Sequence, residues 1–279
     1  MHNSPLTPSS TRTLLESLGH HPRKRLGQNF LIDGNIVRKS LQLANVEAGD
    51  IVAEVGPGLG TLTRALLEAG AQVFAVELDT CLHSYLDQQL RGELSEDADK
   101  RFSLLHGDAV DYPLGKLTEA FQQLPEYKIV ANLPYAVSTP WLESVIQLHI
   151  PERMVLMLQK EAADRYTAAP GSKSYGAISI FVQSALDRNP GHAVSRQSFY
   201  PVPGVDSVLL NLQKKANPFV FPKEDAELIR QVFQQRRKQI GGLCRGKAKL
   251  ERWLEKAAIA PSIRPEDIPV AQWQLMTEV

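Results

Sequence analysis

The chain of 279 residues is 43% hydrophobic and 22% charged, which excludes a disordered or collagen-like polymer and suits one large domain or a large domain with a small one. Apolar runs such as residues 154–158 and 177–182 fall far short of the about 20 residues a membrane span needs, so no membrane partner is expected. Net charge is zero, yet seven basic residues and no acid lie between Arg230 and Lys249, against nine acids and three bases between Glu77 and Asp111; a basic stretch of that kind is a footprint of polyanion binding.

Residues 1–22 are rich in Ser and Thr and lack the apolar core of a secretory signal. They read as a loose arm with one short helix over 12–18, a Ser-rich transit peptide being the alternative. From residue 50 onward strand-like runs alternate with helical patterns, the signature of an α/β domain with a mostly parallel sheet. A strand over 50–55 leads through a glycine turn to a helix over 61–69, which Gly70 closes. Strands follow over 72–78, 102–106, 127–131 and 153–158, with helices over 81–90 and 141–148. Next, 160–168 and 177–186 read as helices, and the Pro201-Val-Pro203 corner leads to a last strand over 208–212. From Asn217 only helical patterns remain, so the expected organisation is an arm of 1–22, an α/β domain of 23–216 and a small helical domain of 217–279. Cys81 and Cys244 can build neither a disulfide framework nor a Cys-x-x-Cys site, which fits a reducing compartment. The histidines show no ligand spacing, and no metal is expected.

Four features carry chemistry. In the turn Glu54-Val-Gly56-Pro-Gly58-Leu-Gly60, glycine lets backbone approach a ligand where a Cβ would collide. A dinucleotide fingerprint spaces its glycines G-x-G-x-x-G; here the third comes one residue early, which shifts the expectation from NAD toward S-adenosylmethionine (SAM), a tight structural turn being the alternative. Glu77 closes the second strand, 21 residues after Gly56, where a carboxylate accepts hydrogen bonds from ribose hydroxyls. Asp108 follows the third strand, and because strand carboxyl ends converge on one crevice, these groups should face a single nucleoside-like ligand. After the fourth strand comes Asn132-Leu133-Pro134-Tyr135. The Asn132 side-chain oxygen and a neighbouring backbone carbonyl can accept both protons of an exocyclic amine, proline fixes the backbone, and Tyr135 offers a ring for stacking. That is a site for an extruded adenine or another amino-bearing base. Alone, the tetrapeptide also suits an Asn-x-Pro turn with a core tyrosine.

With these features the sequence resembles the ribosomal RNA adenine N6,N6-dimethyltransferase family, whose members dimethylate two adjacent adenosines near the 3′ end of small-subunit rRNA. The matching segments begin with Arg23-Lys-Arg-Leu-Gly-Gln-Asn-Phe-Leu-Ile-Asp33, the glycine turn, Val76-Glu-Leu-Asp79 and Gly107-Asp-Ala109. They continue with Asn132-Leu-Pro-Tyr135, Met157-Leu-Gln-Lys-Glu161, Phe199-Tyr-Pro-Val-Pro-Gly-Val-Asp-Ser207 and Gln235-Arg-Arg-Lys238, in family order. The resemblance implies a Rossmann-like SAM-dependent methyltransferase sheet with a small all-helical C-terminal domain that binds RNA. It places the methionine end of SAM against Asn29 and the Leu31 backbone, and Gly56 along the cofactor. Glu77 would bind the ribose hydroxyls and Asp108 the cofactor adenine, with Asn132 between cofactor and target amine. Leu133, Tyr135 and Phe199 would complete the catalytic set, Phe199 as a second stacking face, and Arg236, Arg237 and Lys238 would contact RNA. The implied partner is small-subunit rRNA within the assembling 30S particle, met in the cytoplasm by a monomer.

Two departures stand out: Ala131 where the family commonly has Gly, and Gln239-Ile-Gly-Gly242 where an Asn usually follows the Arg-Arg-Lys segment. The rival readings are a DNA adenine methyltransferase, a monomethylating large-subunit rRNA enzyme and a non-catalytic nucleic-acid binder. The about 60 residues after Asn217 are small for a DNA target-recognition module, and the intact Asn-x-Pro-Tyr motif argues against loss of catalysis.

Overall fold

The computed structural model describes residues 7–23, 26–94, 98–133 and 137–279. Its first half contains α1 (Pro8–Ser17), β1 (Phe30–Leu31), α2 (Gly34–Ala44), β2 (Ile51–Val55), α3 (Thr61–Glu68), β3 (Gln72–Glu77), α4 (Thr80–Leu94), α5 (Ala98–Arg101), β4 (Phe102–His106), α6 (Leu117–Ala120) and β5 (Lys128–Asn132). There follow α7 (Ser138–Leu148), β6 (Arg153–Gln159), α8 (Lys160–Tyr166), α9 (Ala177–Ala185), β7 (Leu186–Val194), β8 (Phe199–Tyr200), β9 (Ser207–Lys214), α10 (Lys223–Phe233), α11 (Ile240–Cys244), α12 (Ala248–Lys256) and α13 (Val270–Gln274).

Seven strands form one sheet in the order β4-β3-β2-β5-β6-β9-β7. Strands β2 to β6 pair in parallel, and β9 lies antiparallel to β6. In β2, β3, β5 and β6 the residues are buried in succession rather than alternately, because a parallel sheet is covered on both faces. The chain runs outward from β2 through β3 to β4, then returns to the other side of β2 with β5 and β6. That reversal opens a crevice beyond the carboxyl ends of β2 and β5.

By compactness the chain divides into two units. The first comprises the residues up to Val145 with Pro151–Lys160 and Asn189–Gln213, and its core includes Val52, Leu66, Val73, Val130, Val155 and Leu209. The second comprises Ile146–Ile150, Glu161–Arg188 and Lys214–Val279, and its core includes Tyr175, Phe181, Ile229, Trp253 and Trp273. The last two rings stack with centroids 4.5 Å apart. Residues 217–279 thus fall wholly within the second unit, which also takes in α9, because Ile180 and Phe181 bury their side chains in the same core as Ile229 and Trp253. Among the described residues no helix is long and apolar enough to cross a membrane.

The structure adds elements that the sequence pattern does not announce, among them α2, β7 and the short pair β1–β8. Helix α2 starts where the Asp33 carboxylate accepts the Asn35 amide at 2.9 Å, and it ends at Asn45, which is left-handed with φ 49°. Strand β7 is polar and holds Pro190, features that argue against a central strand; it is tolerated because β7 lies at the sheet edge. A Cβ on Gly191 would strike the Leu209 carbonyl, so glycine there permits the close approach of β7 to β9. The short pair β1–β8 joins Phe30 to Tyr200 and Leu31 to Phe199.

Candidate active site at the strand ends

In the first unit a cavity opens at the carboxyl ends of β2, β3, β4 and β5, and all six residues expected to bind the cofactor line it: Asn29, Leu31, Gly56, Glu77, Asp108 and Asn132. Gly56, Gly58 and Gly60 are all left-handed, with φ of 66°, 59° and 81°, a conformation L side chains rarely adopt. A Cβ on Gly58 would stand only 3.3 Å from the Phe30 ring. Behind the turn, buried Arg64 donates to the Leu59 carbonyl at 2.8 Å and pairs with Glu93 at 3.1 Å, so the loop is held in place before any ligand arrives.

Glu77 accepts the Gly58 amide at 3.0 Å with one carboxylate oxygen and the Asp79 amide at 2.8 Å with the other. Each oxygen keeps acceptor capacity for a ribose hydroxyl. Burial raises its pKa above the usual carboxylate value, and the two amides oppose that rise without reversing it. A second carboxyl in the cavity wall is that of Glu54, the first residue of the glycine motif. It is 2% exposed, and its Oε2 has no hydrogen-bond partner among the described residues. Burial, aided by the nearby Glu77 charge, pushes its pKa up to about 8, so it is largely protonated at neutral pH.

Asp79 explains how Asn29 is delivered to the cavity. Its Oδ2 accepts from His20 Nε2 at 3.1 Å and Gln28 Nε2 at 3.1 Å and pairs with Arg23 Nη1 at 3.3 Å, while Oδ1 accepts the Cys81 amide at 3.0 Å. Burial pushes the carboxyl up, but the hydrogen bonds from His20, Gln28 and the Leu82 amide outweigh it and hold the pKa below the usual range. His20, Arg23 and Gln28 are thereby fastened to the end of β3. The Val76-Glu-Leu-Asp79 match marked this aspartate; only the structure shows what it holds.

Asp108 accepts the Val110 amide at 2.8 Å through Oδ1. Asn132 donates from Nδ2 to the Asn29 carbonyl at 3.1 Å, which leaves its Oδ1 as an acceptor. Leu133 is buried, and its amide donates to the Met157 carbonyl at 3.3 Å. Tyr135 lies outside the described residues. Phe199, expected as a stacking face, is 1% exposed, packs in the first unit's core and is absent from the cavity wall, although its strand partner Leu31 lines that wall. A base can meet that ring only if the surrounding packing shifts.

The expected RNA contacts sit in the second unit. Arg236 donates to the Lys173 carbonyl at 2.6 Å and pairs with Glu266 at 3.8 Å, whereas Arg237 and Lys238 are exposed. The departure at Gly241 has a packing reason, since a Cβ there would stand 2.6 Å from Pro261 Cβ. Among the described residues no group of His, Cys, Asp and Glu could hold a metal ion.

Two strand-end carboxylates with acceptor capacity, a left-handed glycine turn and a buried carboxyl oxygen without a partner among the described residues make a wall whose chemistry fits SAM. The comparisons with known proteins agree. Residues 19–279 match the family described as "Ribosomal RNA adenine dimethylase". The chain is 56% identical over 278 residues to the "Ribosomal RNA small subunit methyltransferase A" of Opitutus terrae, 98% of each being covered. It is 41% identical over 286 residues to the protein of the same name from Leifsonia xyli subsp. xyli, with 96% of each covered. Among solved structures, a dimethyladenosine transferase from Plasmodium falciparum gives a TM-score of 0.67 at 24% identity, covering 89% of this chain and 96% of that one. The 23S rRNA methyltransferase ErmE gives 0.62 at 22% identity, covering 90% and 98%. These two likenesses show the fold, a Rossmann-like methyltransferase sheet.

Proposed function

The chain belongs to the ribosomal RNA adenine dimethylase family, and from that premise we propose that it methylates N6 of two adjacent adenosines near the 3′ end of small-subunit rRNA, giving N6,N6-dimethyladenosine. It is a SAM-dependent methyltransferase. The observation that carries the residue assignment is the position of Asn132: it stands in the same cavity wall as Glu77 and Asp108, with its amide nitrogen engaged and its oxygen left to accept.

Bound in the cavity, SAM supplies an electrophilic methyl on a sulfonium sulfur. In our reading Glu77 holds the ribose hydroxyls, Asp108 the adenine amine of the cofactor, and Asn29 with the Leu31 backbone the methionine end, while Gly56 lets the backbone come close. Adenine N6 is a weak nucleophile because its lone pair is delocalised into the ring. When Asn132 Oδ1 and the Leu133 carbonyl accept its two protons, the nitrogen is drawn toward a pyramidal geometry with a localised lone pair. The surplus proton can leave after attack, so no side-chain base is needed beforehand, and positioning and local electrostatics do the work. Tyr135 would stack on the target base, and Phe199 would add a second face once its ring is uncovered. After the first methyl only one N6 proton remains for two acceptors. Stacking, worth about 1–3 kcal/mol per base, is indifferent to that loss and can hold the monomethyl intermediate for a second transfer.

We assign methyl transfer to residues 23–216 and RNA contact to 217–279, with 1–22 as an arm. The enzyme would act as a metal-free monomer in the cytoplasm on rRNA within the assembling 30S particle. Transfer of labelled methyl from SAM to purified small subunits, naked rRNA and DNA tests this reading. Label is expected in small-subunit rRNA, and label confined to DNA or to large-subunit rRNA would favour a rival.

A further inference from the structure

The aim of Asn132 Oδ1 depends on where the other end of the same amide is held, and Nδ2 donates to the Asn29 carbonyl at 3.1 Å. That carbonyl sits between two fixed points. On its far side Phe30 and Leu31 pair with Tyr200 and Phe199. On its near side the Gln28 carboxamide is held at both ends: Oε1 accepts the Arg23 amide at 2.7 Å, and Nε2 donates to Asp79 Oδ2 at 3.1 Å. Asp79 is buried at the sheet end. Its own amide donates to Glu77 Oε1 at 2.8 Å, and its Oδ1 accepts the Cys81 and Leu82 amides at 3.0 Å and 3.3 Å in the first turn of α4. An unbroken chain thus runs from Asp79 through Gln28 and Asn29 to Asn132, from the end of β3 to the end of β5.

We propose that Asp79 is a positioning residue for methyl transfer: through Gln28 it fixes the Asn29 carbonyl, and through that carbonyl it aims Asn132 Oδ1 at the target amine. The inference rests on the acceptor role proposed for Asn132. A carboxylate suits this place because donors from His20, Gln28 and Arg23 converge on Oδ2 while Oδ1 accepts two backbone amides. An asparagine has one acceptor oxygen for these two sides. Turned to cap α4, where Asn serves as well as Asp, it presents its NH2 to the Gln28 NH2, donor against donor. Asp79→Asn therefore keeps the volume and the helix cap and cuts the chain at its first link. Gln28→Glu cuts the same link by setting carboxylate against carboxylate. Combined, the two substitutions rebuild it with the polarity reversed, since the new amide can donate to the new carboxylate.

Single-turnover kinetics at saturating SAM and small subunits, with nuclear magnetic resonance of the free full chain, test the proposal. Asp79→Asn and Gln28→Glu should each slow methyl transfer about tenfold to a hundredfold, the cost of a small misplacement at a reacting centre. The double variant should recover most of the rate. In an Asn132→Ala background Asp79→Asn should cost nothing further, because a residue that acts through Asn132 has nothing left to aim; a merely structural residue would slow that variant again. Gln28→Leu, which leaves Asp79 its other partners, gives the same reading should Asp79→Asn fail to fold. The Asn132 side-chain amide resonances, identified by their loss in Asn132→Ala, should shift in each single variant and return in the double one. An additive loss in the Asn132→Ala background, a double variant no faster than the single ones, or unmoved resonances overturns the proposal. Because the resonances are read without substrate, a wild type that leaves small-subunit rRNA unmethylated while they respond as described contradicts the proposed function and not the placing of Asn132 by Asp79.

Discussion

Replacing Asn132 with alanine is expected to slow methyl transfer by a factor on the order of 10²–10³, in line with deletion of one preorganised hydrogen-bonding group at a reacting centre. The side chain meets both requirements for such an effect. Its Nδ2 is fixed on the Asn29 carbonyl at 3.1 Å, so Oδ1 is aimed without help from the substrate. Its backbone closes β5, one of the central parallel strands, so the group is carried on a rigid element. RNA affinity should stay near that of the wild type if, as proposed, residues 217–279 supply the RNA contacts. Single-turnover rates measured beside RNA and SAM binding separate the two effects. A variant with near wild-type turnover at full SAM occupancy would remove Asn132 from the chemistry.

Glu77→Ala is expected to weaken SAM binding tenfold to a hundredfold, since a hydrogen bond to a charged group contributes roughly 1.5–3 kcal/mol. Part of the loss would arise through the glycine turn, because the same carboxylate accepts the Gly58 amide at 3.0 Å. Glu77→Gln tests that division. Its amide oxygen can still accept from Gly58, but its NH2 cannot accept a second hydroxyl, so it should bind SAM with an intermediate affinity. Calorimetry on folded variants reads all three affinities, and an unchanged value for the alanine variant would exclude Glu77 from the ribose site.

Much of this site was legible in the sequence because it depends on position along strands. Parallel strands buried on both faces announce themselves as short apolar runs, and the residues that follow them, Gly56, Glu77, Asp108 and Asn132, must converge at one sheet edge. What the sequence concealed depends on partners far away in the chain. Nothing local tells that Asp79 gathers His20 and Gln28, or that Glu54 Oε2 is buried without a hydrogen-bond partner among the described residues. Phe199 lies in a segment whose pattern suggests a stacking face, yet its ring is packed into the core. Strand β7 was hidden because an edge strand tolerates Pro190 and polar residues that a central strand would reject. The basic run showed its sign but not which charges were already engaged. Arg236 and Lys238 are two residues apart in sequence, and one faces Glu266 while the other faces an open groove.

The proposed function requires this cavity to carry adenine N6 through two successive methyl transfers. Incubation of the wild type with SAM and small subunits, digestion of the rRNA to nucleosides and mass spectrometry test it directly. N6,N6-dimethyladenosine is expected as the final product at long times, with monomethyladenosine only as an early intermediate. Monomethyladenosine as the sole product at long times would contradict it.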